Sequence, residues 1–185
     1  MILPIYAYGQ AVLKKEAEDI GPDYPDLAVL IENMWETMYN AHGIGLAAPQ
    51  IGKGIRLFMV DTLQVMEEDE EEDGIKKVFI NAEILEEGGE EWAYEEGCLS
   101  IPDIRGDVDR HSQIRIRYQD EQFQEHEEVF TGINARVIQH EYDHIEGILF
   151  VDLLKPIRKR RIKRKLEKIR KGEIVADYRM KFTKK

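Results

Sequence analysis

The chain has 185 residues, of which 43% are apolar, one cysteine and a formal net charge of -11. This length allows one sizeable hydrophobic core, so one domain is the expected organisation. No stretch approaches the apolar length of a membrane span, and the N-terminal residues lack the features of a secretory signal, so a cytoplasmic location is predicted. The single Cys98 excludes an internal disulfide framework and leaves a thiol for other chemistry.

The charge is distributed unevenly along the chain. Residues 155–185 carry a net charge of +12, which leaves -23 for residues 1–154. The acidic part contains the run EEDEEED at 67–73, a composition typical of a solvated loop whose charges repel one another. We therefore expect a core formed by residues 1–154, with residues 155–185 as a basic C-terminal helix and tail of the same domain.

The first predicted elements are one helix and three strands, without internal repeats. Apolar residues recur at helical spacing between Pro25 and Gly43, and the glycine can end that helix. Apolar alternation and β-branched residues then indicate strands. These strands span residues 55–61, 76–85 and 112–120.

A hairpin and two helices follow. A turn at Asp120 and Glu121 predicts a return strand along 122–130, after which the period becomes that of a helix over 132–147. A basic amphipathic helix is predicted over 155–172. The order of elements indicates an α+β fold. The apolar flank of the last helix is expected to contain Ile157, Ile162, Leu166 and Ile169.

The predicted helix over 132–147 contains the pattern HEYDH at 140–144. Two histidines four residues apart share one helix face, so both can bind one metal ion while Glu141 points at a water bound to that ion. The same pattern arises by chance, in which case His140 and His144 would be surface residues beside a capping or ion-paired glutamate. The apolar surroundings favour the metal site, because charged groups in a core helix need a partner.

A catalytic site of this kind needs a third protein ligand and an open coordination position. Downstream of the pattern, Glu146 is too close on the same helix to converge. Upstream, EGCLS at 96–100 contains Cys98, the only thiol in the chain. A buried cysteine without chemistry is the alternative, but Gly97 permits close backbone approach, and the combination favours Cys98 as the third ligand.

Three motifs together resemble the signature motifs of peptide deformylases. They are GIGLAAPQ at 43–50, EGCLS at 96–100 and QHEYDH at 139–144, and the similarity extends to about residue 170. The resemblance implies a compact α+β domain with antiparallel strands packed around a central metal-binding helix and a C-terminal helix. It also implies removal of the formyl group from N-formylmethionyl nascent peptides with release of formate, and we expect a monomer.

The expected mechanism uses a metal-bound water. A divalent ion held by Cys98 and the two histidines would lower the pKa of this water and polarise the formyl oxygen. Glu141 is expected to take the water proton and deliver it to the departing amine. The resemblance assigns stabilisation of the oxyanion to Gln50 and to the backbone N–H of Leu99.

The glycine-rich loop is expected to bind the substrate backbone. Glycines let backbone groups approach an extended peptide as an added strand, although a turn that needs permissive dihedrals is the alternative. The resemblance also implies an apolar methionine pocket, where Arg136 departs from the aliphatic residue often found, and an ion pair between Glu96 and Arg110. The substrate-binding residues implied are Gly43, Ile44, Gly45, Tyr94, Glu96, Ile133 and Val137.

The sequence leaves alternatives open for the identity of the metal and for the contacts of the basic helix. Affinity order favours copper, nickel or zinc in a Cys-His-His site, whereas the resemblance implies one Fe²⁺ per chain in cells, with Zn²⁺, Ni²⁺ or Co²⁺ able to substitute. The helix over 155–172 can pack on the core with its cations in water, or it can contact the ribosome through ribosomal RNA.

Two other classes of protein fit part of the sequence. A metallopeptidase would share HEYDH but normally lacks an upstream cysteine ligand, and it does not need Gln50. A nonenzymatic RNA-binding protein would explain the basic tail, but the acidic residues 1–154 are a poor surface for nucleic acid.

Overall fold

The computed structural model describes residues 1–67 and 73–183, in which three α-helices accompany seven strands. Most of the acidic run at 67–73 lies outside the described residues, so its loop structure stays a prediction. The strands are β1 (Ile5–Tyr6), β2 (Gly45–Ala47), β3 (Leu57–Asp61), β4 (Lys76–Cys98), β5 (Ile101–Gln119), β6 (Glu125–Thr131) and β7 (Met180–Lys181). The helices are α1 (Leu27–Asn40), α2 (Gly132–Ile145) and α3 (Pro156–Arg170).

Five strands form an antiparallel sheet in the order β2-β3-β4-β5-β6, and β1 pairs in parallel with β7. The predicted strands within 55–61, 76–85 and 112–120 are present, but β4 and β5 continue to Cys98 and back from Ile101 as one long hairpin. The sequence pattern missed this extension because residues 86–91 are glutamates and glycines, which are poor strand formers. The hairpin turn carries Cys98 to one end of the sheet.

Helix α2 lies against the sheet. Its Ala135 and Ile138 are fully buried and pack in one cluster with Phe58 and Phe79 of the sheet. The predicted helix is confirmed, and Gly147 follows its end with a φ of +73°, a conformation that favours glycine. Antiparallel strands packed around a central helix are therefore confirmed as the α+β architecture of this single domain.

Helix α3 packs on a second hydrophobic cluster through a narrow row of apolar side chains. Ile162 and Ile169 are each 2% exposed, whereas Ile157 is 65% exposed. The prediction that Ile157 belongs to the buried flank is wrong, because at 3.6 residues per turn it lies about 140° around the helix from Ile162. The cations of α3 are exposed. Within the described residues, no helix combines the length and the apolar character needed to cross a membrane.

Candidate active site

The three sequence motifs meet around one open cavity of about 560 Å³. The glycine-rich loop and β2 form one side, the end of β4 forms another, and α2 lies between them. His144 is not among the described residues that line the cavity; it is 1% exposed, and its Nε2 lies 3.4 Å from Cys98 Sγ. The predicted residues that line it are Gly43, Ile44, Gly45, Gln50, Tyr94, Glu96, Cys98, Leu99, Ile133, Val137, His140 and Glu141.

One cysteine and two histidines form a group able to hold a metal ion. The donor atoms of Cys98, His140 and His144 all lie within 4.8 Å of one another, and Cys98 Sγ is 3.4 Å from His144 Nε2. One ion with bonds of about 2.0–2.3 Å bridges roughly this span. No other group of three such donors occurs in residues 1–67 and 73–183. The donor set and its spacing therefore fit one divalent cation.

Glu96 orients His140 for this role. The carboxylate is 6% exposed and lies 2.8 Å from His140 Nδ1, so a proton on Nδ1 leaves the lone pair of Nε2 for a metal. Arg110 donates to the same carboxylate at 2.7 and 3.0 Å. Burial raises the pKa of Glu96, but the hydrogen bonds from His140 and Arg110 outweigh it and hold that pKa well below its usual value. Glu96 therefore remains a carboxylate.

Arg136, which departs from the expected aliphatic residue, is a buried cation that is paired with a carboxylate. It is 2% exposed and donates to Glu96 at 2.8 Å, to the Val108 carbonyl at 2.7 Å and to the Trp92 carbonyl at 2.6 Å. Its guanidinium also lies 4.6 Å from the centre of the Trp92 ring. These contacts join α2 to both strands of the long hairpin, which sequence patterns did not indicate.

Glu141 has the surroundings of a proton acceptor. It is 4% exposed, and burial raises its pKa to about 7. Its Oε2 has no hydrogen-bond partner among the described residues, and its carboxylate lies so close to Gly45 that a Cβ there would overlap it. A pKa near neutrality allows a carboxylate to accept a proton and to return it.

The buried amide of Gln50 faces the metal-binding group. Its Oε1 accepts a hydrogen bond from the Ala47 N–H at 2.9 Å, which fixes the orientation of the amide. Its Nε2 then lies 3.4 Å from Cys98 Sγ and 3.2 Å from Ser100 Oγ. The apolar loop around Gln50 therefore encloses a neutral donor beside the candidate metal site.

Tyr178 lines the cavity although no sequence pattern indicated it. Its hydroxyl donates to the Leu99 carbonyl at 2.7 Å, next to the predicted oxyanion donor. The contact depends on the pairing of β7 with β1, in which Met180 lies beside Ile5 and the C-terminal segment is brought back to the site. A local pattern carries no signal for such a long-range pairing.

The fold and the site define a single-domain α+β enzyme with a Cys-His-His group beside a glutamate of near-neutral pKa. A family model described as polypeptide deformylase matches residues 2–160, and the chain belongs to this family. The peptide deformylase of Christiangramia forsetii is 56% identical over 98% of this chain and 96% of that protein. The solved structure of a peptide deformylase from Legionella pneumophila is 35% identical, covers 94% of this chain and 98% of that chain, and has a TM-score of 0.81.

Proposed function

We propose that this enzyme hydrolyses the formyl group of N-formylmethionyl peptides, releasing formate, in the cytoplasm. The observation that carries the proposal is the convergence of three kinds of group on one cavity. They are the donor set around Cys98, the amide of Gln50 and the carboxylate of Glu141. Hydrolysis of a formamide needs an activated water, donors for the oxyanion and a proton for the amine, and these groups can supply each function.

Cys98, His140 and His144 would hold one divalent cation. When bound, such an ion supplies Lewis acidity, which lowers the pKa of water and polarises a carbonyl oxygen. We propose Fe²⁺ as the ion in cells, with Zn²⁺, Ni²⁺ or Co²⁺ as substitutes. A thiolate beside Fe²⁺ is vulnerable to oxygen, so activity is expected to decay in air and to persist after nickel substitution. An iron-loaded enzyme that retains its full rate in air for hours would contradict the iron assignment.

The side chains of the site would then manage the proton and the oxyanion. Glu141 would accept the water proton at its free Oε2 and return it to the amine nitrogen of methionine. Gln50 Nε2 and the Leu99 N–H would donate to the oxygen that becomes negative in the transition state. The near-neutral pKa of Glu141 supports both directions of proton transfer.

The peptide would extend along the outer edge of β2. Gly43, Ile44 and Gly45 line the cavity, whereas Leu46 and Ala47 are fully buried. The bound peptide would therefore extend from the site toward Gly43. Its direction is then antiparallel to β2, with the formyl end at Glu141. Apolar residues at the cavity wall would enclose the methionine side chain. These residues are Ile44, Ile133 and Val137, with Tyr94 exposed at the rim.

A Glu141→Gln variant tests the mechanism. The variant, purified anaerobically, is expected to retain its metal by elemental analysis and to lose formate release from formyl-Met-Ala-Ser, because the amide cannot accept the proton. Glu87→Gln, on the exposed part of β4, is the matched control and should behave as the parent. Acetyl-Met-Ala-Ser and unblocked Met-Ala-Ser distinguish a deformylase from a peptidase. Unchanged turnover in Glu141→Gln would remove the mechanism.

We further propose that residues 1–154 carry the catalytic core, that residues 155–185 complete the same domain, and that the enzyme is a monomer.

The exposed cations of α3 would contact ribosomal RNA, and their exposure opposite the buried Ile162 and Ile169 supports this. Reversing the charges of Arg160, Lys163 and Arg164 should reduce co-sedimentation with ribosomes at low salt. Unchanged co-sedimentation would contradict the proposal.

A further inference from the structure

We infer that Gln64 is a positioning residue that presents the Ile44 N–H to the peptide substrate. Gln64 lies in the short turn after β3, and its Nε2 donates to the Gly43 carbonyl at 3.2 Å and to the Asp61 carbonyl at 3.3 Å. Gly43 and Ile44 line the cavity, whereas Gln64 is not among the described residues that do so. Gln64 therefore acts on the loop from outside the cavity.

The hydrogen bond to Gly43 fixes the direction of the next N–H. In a trans peptide group the C=O and the N–H point to opposite sides, and no cis peptide occurs among the described residues. Holding the Gly43 oxygen on the side of Gln64 therefore turns the Ile44 N–H to the opposite side. Within the described part of the chain this N–H has no backbone acceptor. The neighbouring backbone groups are paired, since Ile44 O accepts from Asp61 N at 2.8 Å and Gly43 N donates to Met38 O at 2.9 Å.

The free N–H suits a carbonyl of the substrate, and this step rests on the proposed function. The amine nitrogen of the first residue must lie at Glu141, which contacts Gly45. A peptide that runs from there toward Gly43 next brings the carbonyl oxygen of its methionine past Ile44. Gln64 would thus set the orientation of a backbone contact to the first residue without touching the substrate.

A side-chain brace is needed here because the backbone itself is permissive. Glycine at position 43 leaves the peptide group between Gly43 and Ile44 free to rotate at little cost. Without the donor on Gln64, the Ile44 N–H would sample other directions, and the substrate would have to order it on binding. This contact forms in the ground state and in the transition state alike, so its loss should raise KM and leave kcat unchanged.

Two variants and two substrates test the inference. Gln64→Glu keeps the shape but removes the donor, and Gln64→Lys restores a donor. The substrates are formyl-Met-Ala-Ser and N-formyl-3-(methylthio)propylamine, which has the methionine side chain but no carbonyl. Gln64→Glu should raise KM for the peptide roughly two- to tenfold, the worth of one neutral hydrogen bond, with kcat within about twofold. KM for the formylated amine should not change, and Gln64→Lys should resemble the parent.

Gln122→Glu, at an exposed position in the β5–β6 turn, controls for the added charge. An unchanged peptide KM in Gln64→Glu, or an equal rise for both substrates, would overturn the inference. Equal rises would indicate a general disturbance of the loop. A parent enzyme that releases no formate from the peptide would refute the proposed function itself, which separates that failure from failure of the Gln64 inference alone.

Discussion

Strands β4 and β5, together with residues of α2 and β6, form two groups of glutamate–arginine pairs that differ in burial. At the cavity end, Glu96 pairs with Arg110 and Arg136, and the side chains are 2–6% exposed. Farther along the same strands, Arg115 pairs with Glu86 and with Glu127 of β6, and these side chains are 40–67% exposed. The residue types are the same, but the buried group has lost its water.

This loss makes the buried group dependent on complete pairing. Removing a carboxylate from water costs several kcal/mol. The hydrogen bonds from Arg110, Arg136 and His140 to the Glu96 carboxylate together offset this cost. The same bonds make the position of His140 rigid. The exposed pairs, in contrast, compete with water and are screened by salt, so they constrain little. Burial therefore turns an ordinary ion pair into a support for the candidate metal-binding group.

The largest effect is expected for Glu96→Gln. The variant leaves the buried Arg136 without a carboxylate partner and leaves Arg110 with Asp143 alone, which should lower the free energy of unfolding by about 3–5 kcal/mol. It also weakens the hold on His140 Nδ1, so metal affinity should fall about 10–100-fold. Denaturant titration of the metal-free protein and metal competition titration measure the two effects. Glu83→Gln on the exposed part of β4 is the control, and equal losses in both variants would contradict the comparison.

The contribution of Glu96 should also depend on pH. Its pKa is lowered by folding, so its stabilisation is complete above the unfolded pKa of about 4.3 and is lost as pH falls toward the lower folded pKa. The difference in unfolding free energy between the metal-free parent and Glu96→Gln should therefore shrink as pH falls below about 4. A gap that widens on acidification would show that the charge of Glu96 is not what stabilises the cluster.

A smaller effect is expected for Arg136→Met. The variant keeps the pair between Glu96 and Arg110 but leaves the buried carbonyls of Trp92 and Val108 without this donor. We expect a loss of about 1–3 kcal/mol in the free energy of unfolding and a smaller change in metal affinity than in Glu96→Gln. Denaturation and metal titration under the same conditions give the ranking. A larger loss of metal affinity in Arg136→Met would reverse the assigned order of support.

The sequence predicted which side chains meet at the cavity better than it predicted the contacts that support them. The spacing of His140 and His144 follows from helical geometry, and the single Cys98 left few choices for a third donor. The backbone carbonyls that accept from Arg136 could not be predicted, because they lie on strands whose length the glutamate- and glycine-rich segment concealed. The error at Ile157 has a simpler origin, since residues that look evenly spaced in a basic helix need not share one face.

The smallest effect is expected for Arg115→Ala on the exposed part of the hairpin. Its pairs with Glu86 and Glu127 are solvated, so their loss should produce no resolvable change in denaturation midpoint, formate release or metal affinity. Any small difference at low salt should decrease at about 1 M salt, where interactions between exposed charges are strongly screened. If Arg115→Ala instead destabilised the protein as much as Arg136→Met, burial would not determine the strength of these pairs.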